Sequence, residues 1–474
     1  MSIERVENGT AFYRMLEAYY LNNGLYESIH PELFANSITT AGIKGFRNPA
    51  RRAVEFHVTH TWPGGLEQAF PILSANPRLP AALKRMWDWS NWSVKKQVAV
   101  RWFALFGDWF CKVAAASSPD GEIRRVYLQN IKPEHVTDFE SDERGNLTAI
   151  RLDIPRSSSS TRAGMLFPAS GEMNTEIWDL DRGYRAYHHR KAAGTPESSL
   201  GIPFEQRGLE EFGIDFIPFT HAPFVDFGEA RGIGVFSPCL DKIDEVNRMA
   251  TRLHQLIFRF NKPTLAILAN STDPYGRPLP PPRLSPSLGG FGGSDRGEHP
   301  LEDDVIGLPG TSKVEVLVPG LNYAAHLEAI EAQMRELEED LPELTYYRYR
   351  ELGANISGRA VRLLLSQAIN RTLEARANLE SAFIKANKMA LSLADNAGLF
   401  GKRGSLGSYA HGDFEHTFMQ REVIPITAEE EANILSTEVS AGVPLELAAR
   451  RRGWHSEDLR ALAGRAQSIE REEE

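Results

Sequence analysis

The sequence predicts an α+β fold. Three observations carry that reading. Helical periodicity fills the first hundred or so positions, a period of two replaces it from Glu122 to about Phe227, and two later helices with matching apolar stripes flank a small strand-containing insert. The 474 residues suffice for two or three ordinary domains. With 42% hydrophobic and 24% charged residues the chain reads as globular, and any disorder is confined to local stretches.

The region up to about residue 115 is expected to be mostly helical. It includes a tryptophan-rich helix pair, "AALKRMWDWSNWSVKKQVAVRWFALFGDWF", in which Trp87, Trp89, Trp92, Trp102 and Trp109 are expected as core anchors rather than a ligand cage, since large aromatics dominate core energetics. The alternating segments "EIRRVYLQNI", "LTAIRLDI", "TEIWDLDRGYRAYHHR" and "DFIPFTHAPFVDF" form an antiparallel β region. The breaks at Ser157–Ser160 and "KAAGTPESS" read as loops. In "SPCLDKIDEVNRMATRLHQLIFRF", Ser237 is placed to cap a helix and Pro238 to occupy its first turn. Ile243, Val246, Ala250, Leu253, Ile257 and Phe260 then recur at threes and fours, a coiled-coil-like seam.

After Asn261-Lys262-Pro263 the chain leaves the helix for the insert: a strand "TLAILA", a long polar Pro/Gly stretch, and a strand "SKVEVLV". A second helix, "NYAAHLEAIEAQMRELEEDL", repeats the seam through Leu327, Ile330, Met334, Leu337 and Leu341. Glu328, Glu331, Glu336, Glu338, Glu339 and Asp340 make its remainder acidic. Two striped helices around an insert describe a stalk with a head. A third helix from Ser357 to about Asn396 would run roughly 60 Å. Val361, Leu364, Ala368, Leu379, Phe383, Ala386 and Ala390 lie on one face of it. A β segment "HTFMQREVIPIT" and two short helices close the chain.

Between the second and third helices stands "LPELTYYRYRELGANISGRA". It crowds Tyr346, Tyr347, Arg348, Tyr349 and Arg350 together and follows them with Gly353, Asn355, Ser357 and Gly358. The glycines and asparagine permit backbone conformations that let a loop move against rigid helices. The cations and phenols are suited to a phosphate or sugar edge.

Motifs that carry catalytic chemistry are weak. "GLPGTSKVEVL" has Lys313 too early for a phosphate loop, Val314 where a magnesium-binding hydroxyl belongs, and a strand where a helix should start. "RGIGVFS" offers Gly232 and Gly234 without a third glycine or a βαβ frame, and reads as a turn into the stalk helix. His57 with His60, and His188 with His189, lack a third ligand nearby, so structural histidine is the better reading of each and no metal or cofactor is expected. Cys111 and Cys239 are far apart in sequence and fit a reducing compartment. No secretory signal or membrane span is expected, the most apolar stretch being broken by Arg101, Asp108 and Lys112. A formal charge of −10 argues against a protein that grips nucleic acid over a broad surface, yet is compatible with one that handles DNA without holding it.

In order along the chain, "NPARRAVEFHV", "FGDWFCKV", "GVFSPCLDKIDEVNRMATRLHQLIFRFNKPTLAI", "SGRAVRLLLSQAINRTLEARANLESAFIKANKMAL" and "VPLELAARRRGWHSEDLRAL" resemble the portal proteins of tailed bacteriophages and related prophages or gene-transfer particles. The resemblance spans most of the chain. It implies a wing over 1–234, a stem helix over 235–260, a clip over 261–320, a second stem helix over 321–342, a tunnel loop over 343–357, a long wing helix and β return over 358–426, and a helical crown over 427–474. It further implies a non-enzymatic ring of about twelve copies, or about thirteen formed in isolation. Double-stranded DNA would pass through the channel. The implied partners are the terminase large subunit, a head-completion or adaptor protein, and capsid and scaffolding proteins, with no membrane. The place would be the portal vertex of a virion assembled in a bacterial host cytoplasm. On this resemblance Tyr346, Tyr347, Arg348, Tyr349, Arg350, Asn355 and Ser357 face the DNA, and Gly353 and Gly358 serve as hinges. The same tyrosines also suit packing between subunits, and the arginines also suit pairing with Glu338, Glu339 or Asp340. A hydrolase or transferase with a helical insertion, and a coiled-coil adaptor, stand as rival readings.

Overall fold

The computed structural model describes residues 9–22, 47–118, 120–155, 173–190, 205–261, 264–268, 275, 313–317, 323–348, 358–409, 411–424 and 428–451. The fold is α+β. The chain divides into two compact units, one made of 1–31, 48–244 and 335–474, the other of 32–47 and 245–334. The division falls inside two helices.

The larger unit begins with α1 (Gly9–Leu21), α2 (Pro49–His60), α3 (Leu66–Ala69), the short strand β1 (Ile72–Leu73), α4 (Leu79–Trp89) and α5 (Trp92–Phe106). Asn48 starts α2 by accepting a hydrogen bond from the Arg51 amide, with Pro49 in the first turn. At Gly107, with φ +84°, α5 stops, and β2 (Asp108–Ser117) begins at once. Residues 108–115, expected as helix, are therefore strand, and β2 is the middle strand of a three-stranded sheet, between Ile123–Ile131 (β3) and Phe219–Pro223 (β9). The glycine terminates the helix where the apolar periodicity by itself would have continued it.

β3 spans Ile123–Ile131, and a five-stranded antiparallel sheet follows in sequential order: β4 (Val136–Ser141), β5 (Leu147–Pro155), β6 (Met173–Asp179), β7 (Tyr184–Arg190) and β8 (Glu205–Gly208). β9 (Phe219–Pro223) returns to β2, pairing Asp108 with Pro223 and Lys112 with Phe219. The two sheets share a core of Phe110, Ile150, Leu152, Trp178 and Phe219. Glu176 is buried within it, accepting from Lys112 Nζ at 2.7 and 2.6 Å and from the Trp178 indole at 2.8 Å.

The "RGIGVFS" glycines have a packing role. A Cβ on Gly232 would lie 2.2 Å from the Gly107 carbonyl oxygen, and one on Gly107 would lie 2.5 Å from the Gly234 nitrogen. Two backbone segments cross in contact there, which leaves room for no side chain. Past this crossing, α6 (Leu240–Asn261) is preceded by a 3-10 turn at Ser237–Cys239, and Ser237 makes no side-chain cap bond.

In the smaller unit the α6 residues Ala250 and Leu253 pack with Ile330 of α7 (Tyr323–Asp340), flanked by Met249 and Met334. Ile257 and Leu327, also on the predicted stripes, are exposed. Within the insert, β10 (Thr264–Leu268) and β11 (Lys313–Leu317) pair antiparallel, Thr264 opposite Leu317.

The larger unit resumes before the end of α7 and continues through α8 (Thr345–Arg348), α9 (Gly358–Leu364), α10 (Ser366–Asn396), β12 (Thr417–Phe418), α11 (Ala428–Ser440) and α12 (Leu445–Arg451). The predicted long helix is thus two, parted at Leu365, which is buried with φ −93° and ψ 10°. Leu364 is exposed rather than part of the buried face, whereas Ala368, Leu379, Phe383, Ala386 and Ala390 are buried as predicted. Phe383 is the hub of the core: the rings of Trp62, Phe70, Trp87, Trp92, Trp109 and Phe418 all lie within 6.5 Å of it, centroid to centroid. Of the five predicted anchors, Trp87, Trp92 and Trp109 are buried, and Trp89 and Trp102 are half-buried.

Candidate functional site

The segment that joins α7 to α9 begins as ordered structure. α7 ends at Asp340, Pro342–Leu344 forms a 3-10 turn because proline stops the helix and restarts a tighter one, and α8 carries Tyr346, Tyr347 and Arg348. Tyr349, Arg350, Gly353, Asn355 and Ser357 lie outside the described residues, and Gly358 is the first residue of α9.

What holds this start is a buried charge cluster. Glu343 and His57 both have fully buried side chains, and His57 Nε2 donates to Glu343 Oε1 at 2.9 Å. Arg371 of α10 brings Nη1 to 3.2 Å from the same oxygen and donates Nη2 to the Val235 carbonyl at 2.7 Å. His57 Nδ1 stands 3.4 Å from the Thr372 hydroxyl, which itself donates to the Ala368 carbonyl. Burial pushes the Glu343 carboxyl up, but the His57 hydrogen bond, the electrostatic pull of His57 and the Arg371 charge outweigh it and hold the group below its ordinary range. One carboxylate thereby ties the turn after α7 to α2, to α10 and, through Arg371, to the chain just before α6.

The predicted tyrosines and arginine sit beside this anchor. Tyr346 packs edge-on against Phe56 and His60, at 5.5 and 5.0 Å between ring centroids. Tyr347 donates its hydroxyl to the Arg52 carbonyl at 3.0 Å and lies under the Arg52 guanidinium. Burial, then the charge of Glu55, pushes its phenol up to about 12, so it remains a donor. Arg348 Nη1 donates to Glu338 of α7 at 2.7 Å, with the Arg348 side chain 45% exposed. Nearby, Lys242 of α6 bridges Glu336 at 3.0 Å and Asp340 at 2.5 Å.

Of the histidines weighed as ligands, His57 and His60 are both tied into the packing of α2. His60 Nδ1 donates to the Phe56 carbonyl at 2.8 Å, and burial lowers its pKa, so the ring is held neutral. Among the described residues no group of three or more His, Cys, Asp or Glu side chains is placed to hold a metal ion, and no helix is long and apolar enough to cross a membrane. Cys111 and Cys239 are free and buried, and burial drives both thiols up.

No family model matches the chain, and no curated protein matches it. Two solved structures that match are the neck of a native gene transfer agent particle computed with C12 symmetry, 11% identical, and the virion of a native gene transfer agent particle, 13% identical. Each covers 77% of this chain and 80% of its own, at a TM-score of 0.39. The likeness is to parts of a gene transfer agent particle.

Sequence reasoning missed the anchor itself. His57 was legible only as one of a histidine pair, and Glu343 as one acid among many. The signal available was the acid directly after Pro342, at the point where two helical patterns break.

Proposed function

We propose that this chain is a portal-vertex subunit: a non-enzymatic protein that rings with about twelve copies of itself. Its channel passes double-stranded DNA during packaging and ejection. The insert between α6 and α7 docks the terminase large subunit and later a head-completion or adaptor protein, while capsid and scaffolding proteins meet the ring during assembly at the virion vertex. The observation that supports this best is the sequence of parts along one chain. A striped helix is followed by an insert closed by its own β10–β11 pair, then by a second striped helix bearing carboxylates, then by an anchored aromatic and cationic segment leading into a helix buried in the larger unit. Acidic helices beside a few cations suit a channel that must not bind tightly, because every added phosphate contact deepens the well that a sliding duplex has to leave.

Electron microscopy of the purified protein tests the ring directly: annular particles of about a dozen subunits are expected, and a monomer persisting at every salt and protein concentration overturns the proposal. Arg348→Ala with Arg350→Ala is expected to leave rings intact and to change packaging or DNA retention. Unchanged packaging removes the contact role of the segment. Annular particles also separate this reading from a coiled-coil adaptor, which would give small oligomers with no central hole. Turnover in a broad substrate screen would favour the hydrolase or transferase instead.

A further inference from the structure

A second surface, remote in sequence from α8, concentrates positive charge in a chain whose net charge is −10. It is built from α4, the residue before it, and the turn-rich segment after α10. Arg78, Arg85, Lys402 and Arg403 are all exposed, and among the described residues none of the four forms an ion pair with a carboxylate. The neighbouring cations are already committed: Lys84 pairs with Glu67 and Lys388 with Glu415. Asp88 is the acid on α4 nearest Arg85 in sequence, and Asp413 is engaged by the Ser408 amide at 2.7 Å. The four cations therefore leave a local surplus.

The surface is also held in shape. The Arg85 guanidinium stands 5.1 Å above the Trp89 ring, which stacks on Phe400 at 5.9 Å and 15°. Arg78 Nη1 donates to the Ser405 carbonyl at 3.4 Å. Lys402 and Arg403 lie on the short stretch of chain between those two contacts. That stretch is fixed by Asp395, buried at the end of α10, which accepts from the Leu406 amide at 3.2 Å and the Ser405 hydroxyl at 3.4 Å. Asn76 closes it by donating to the Leu406 carbonyl at 2.9 Å. Exposed cations usually lose rotamer entropy on binding; here the Arg85 and Arg78 guanidinium groups are already positioned, by stacking and by a carbonyl.

We infer that this surface binds the phosphate backbone of nucleic acid, independently of base sequence. Three of the four cations are arginines, whose planar forks match phosphate oxygens. Trp89 is already covered by Arg85 and Phe400, so the surface presents charge rather than a free ring for base stacking, which selects backbone over base contact. The inference does not depend on a channel, and a chain that formed no ring would still carry the surface.

Fluorescence anisotropy with a labelled duplex of about 30 base pairs, titrated from 50 to 200 mM salt, tests it. Four phosphate contacts predict a slope of log affinity against log salt near −3.6, or roughly a hundredfold weakening over that range. Lys402→Ala with Arg403→Ala should flatten the slope by about two units relative to the unmodified protein, and Arg78→Ala with Arg85→Ala by a similar amount. The loop pair is exposed, and unchanged circular dichroism establishes that the variant folds. Slopes that do not change in either pair overturn the inference, as does absence of duplex binding at 50 mM salt. Competition by poly-glutamate as effective as that by unlabelled duplex also overturns it, assigning the surface to an acidic protein instead.

Discussion

Removing Glu343 exposes how the start of the α8 segment is held. Glu343→Ala leaves the fully buried His57 without its 2.9 Å partner and strips Arg371 of its carboxylate, although Arg371 keeps the Val235 carbonyl and is itself 22% exposed. Breaking a buried pair from one side costs about 3–5 kcal/mol, and the partial rescue of Arg371 places this case at the lower end. Glu343→Gln keeps the volume and one acceptor, and should cost only the difference between a charged and a neutral hydrogen bond, about 1–2 kcal/mol. His57→Leu alone strands less, because Glu343 retains Arg371.

A double-mutant cycle of His57→Leu and Glu343→Leu decides whether these groups act as a unit. Apolar replacement of both partners of a buried pair is often near neutral, so the double variant should be less destabilised than the two singles together, by about 1–3 kcal/mol. Chemical denaturation followed by tryptophan fluorescence gives the energies, and hydrogen exchange across 342–348 gives the local effect. Additivity within about 0.5 kcal/mol would refute the coupling. Unaltered exchange protection at Thr345–Arg348 in Glu343→Ala would refute the claim that this carboxylate holds the segment.

Two further outcomes follow from the larger unit. Gly232→Ala drives a methyl group to 2.2 Å from the Gly107 carbonyl oxygen, a backbone atom with no rotamer to yield, and should cost about 3 kcal/mol or more, read as loss of soluble folded protein or a lowered denaturation midpoint. For Glu176, burial raises the carboxyl, but the charge and hydrogen bond of Lys112, with Trp178 and Arg185, overcome that and lower it. A carboxyl depressed in the folded state adds stability that is complete above its unfolded value near 4.5 and disappears as pH falls through its lower folded value. Glu176→Gln should therefore shrink the stability difference between pH 7 and pH 3, and an identical acid profile for both proteins would contradict the assignment.

The sequence carried the fold class and the two strands of the insert because both rest on local periodicity. The seam positions Ala250, Leu253 and Ile330 meet as the spacing implied, and Thr264–Leu268 and Lys313–Leu317 are strands. It misplaced Asp108–Ser117, because "DWFCKV" continues the apolar density of α5 and only Gly107 marks the change of period. It ran α9 and α10 together because Leu365 is as good a helix former as its neighbours, and the break is imposed by tertiary packing around a buried leucine. The anchor of the candidate segment was the least legible feature. Glu343 meets His57 across 286 positions, and a single sequence holds no signal for a contact at that range.

On the proposed reading, Arg348 serves structural pairing and DNA contact in turn. Its partner Glu338 is reached across a partly solvated surface, where an ion pair contributes about 0–1 kcal/mol. Exchanging that carboxylate for a passing phosphate oxygen then costs little, and exchanging back releases the phosphate just as readily. Tyr347 and Glu343 are committed differently, to a backbone carbonyl and to buried cations, so the helix that carries Arg348 stays in place while its guanidinium changes partners. On the proposed reading, Glu338→Gln should make DNA leave the channel more slowly, because the guanidinium loses one competitor that draws it back to the protein. Faster release in single-particle ejection would show that Glu338 acts by presenting the arginine rather than by recapturing it.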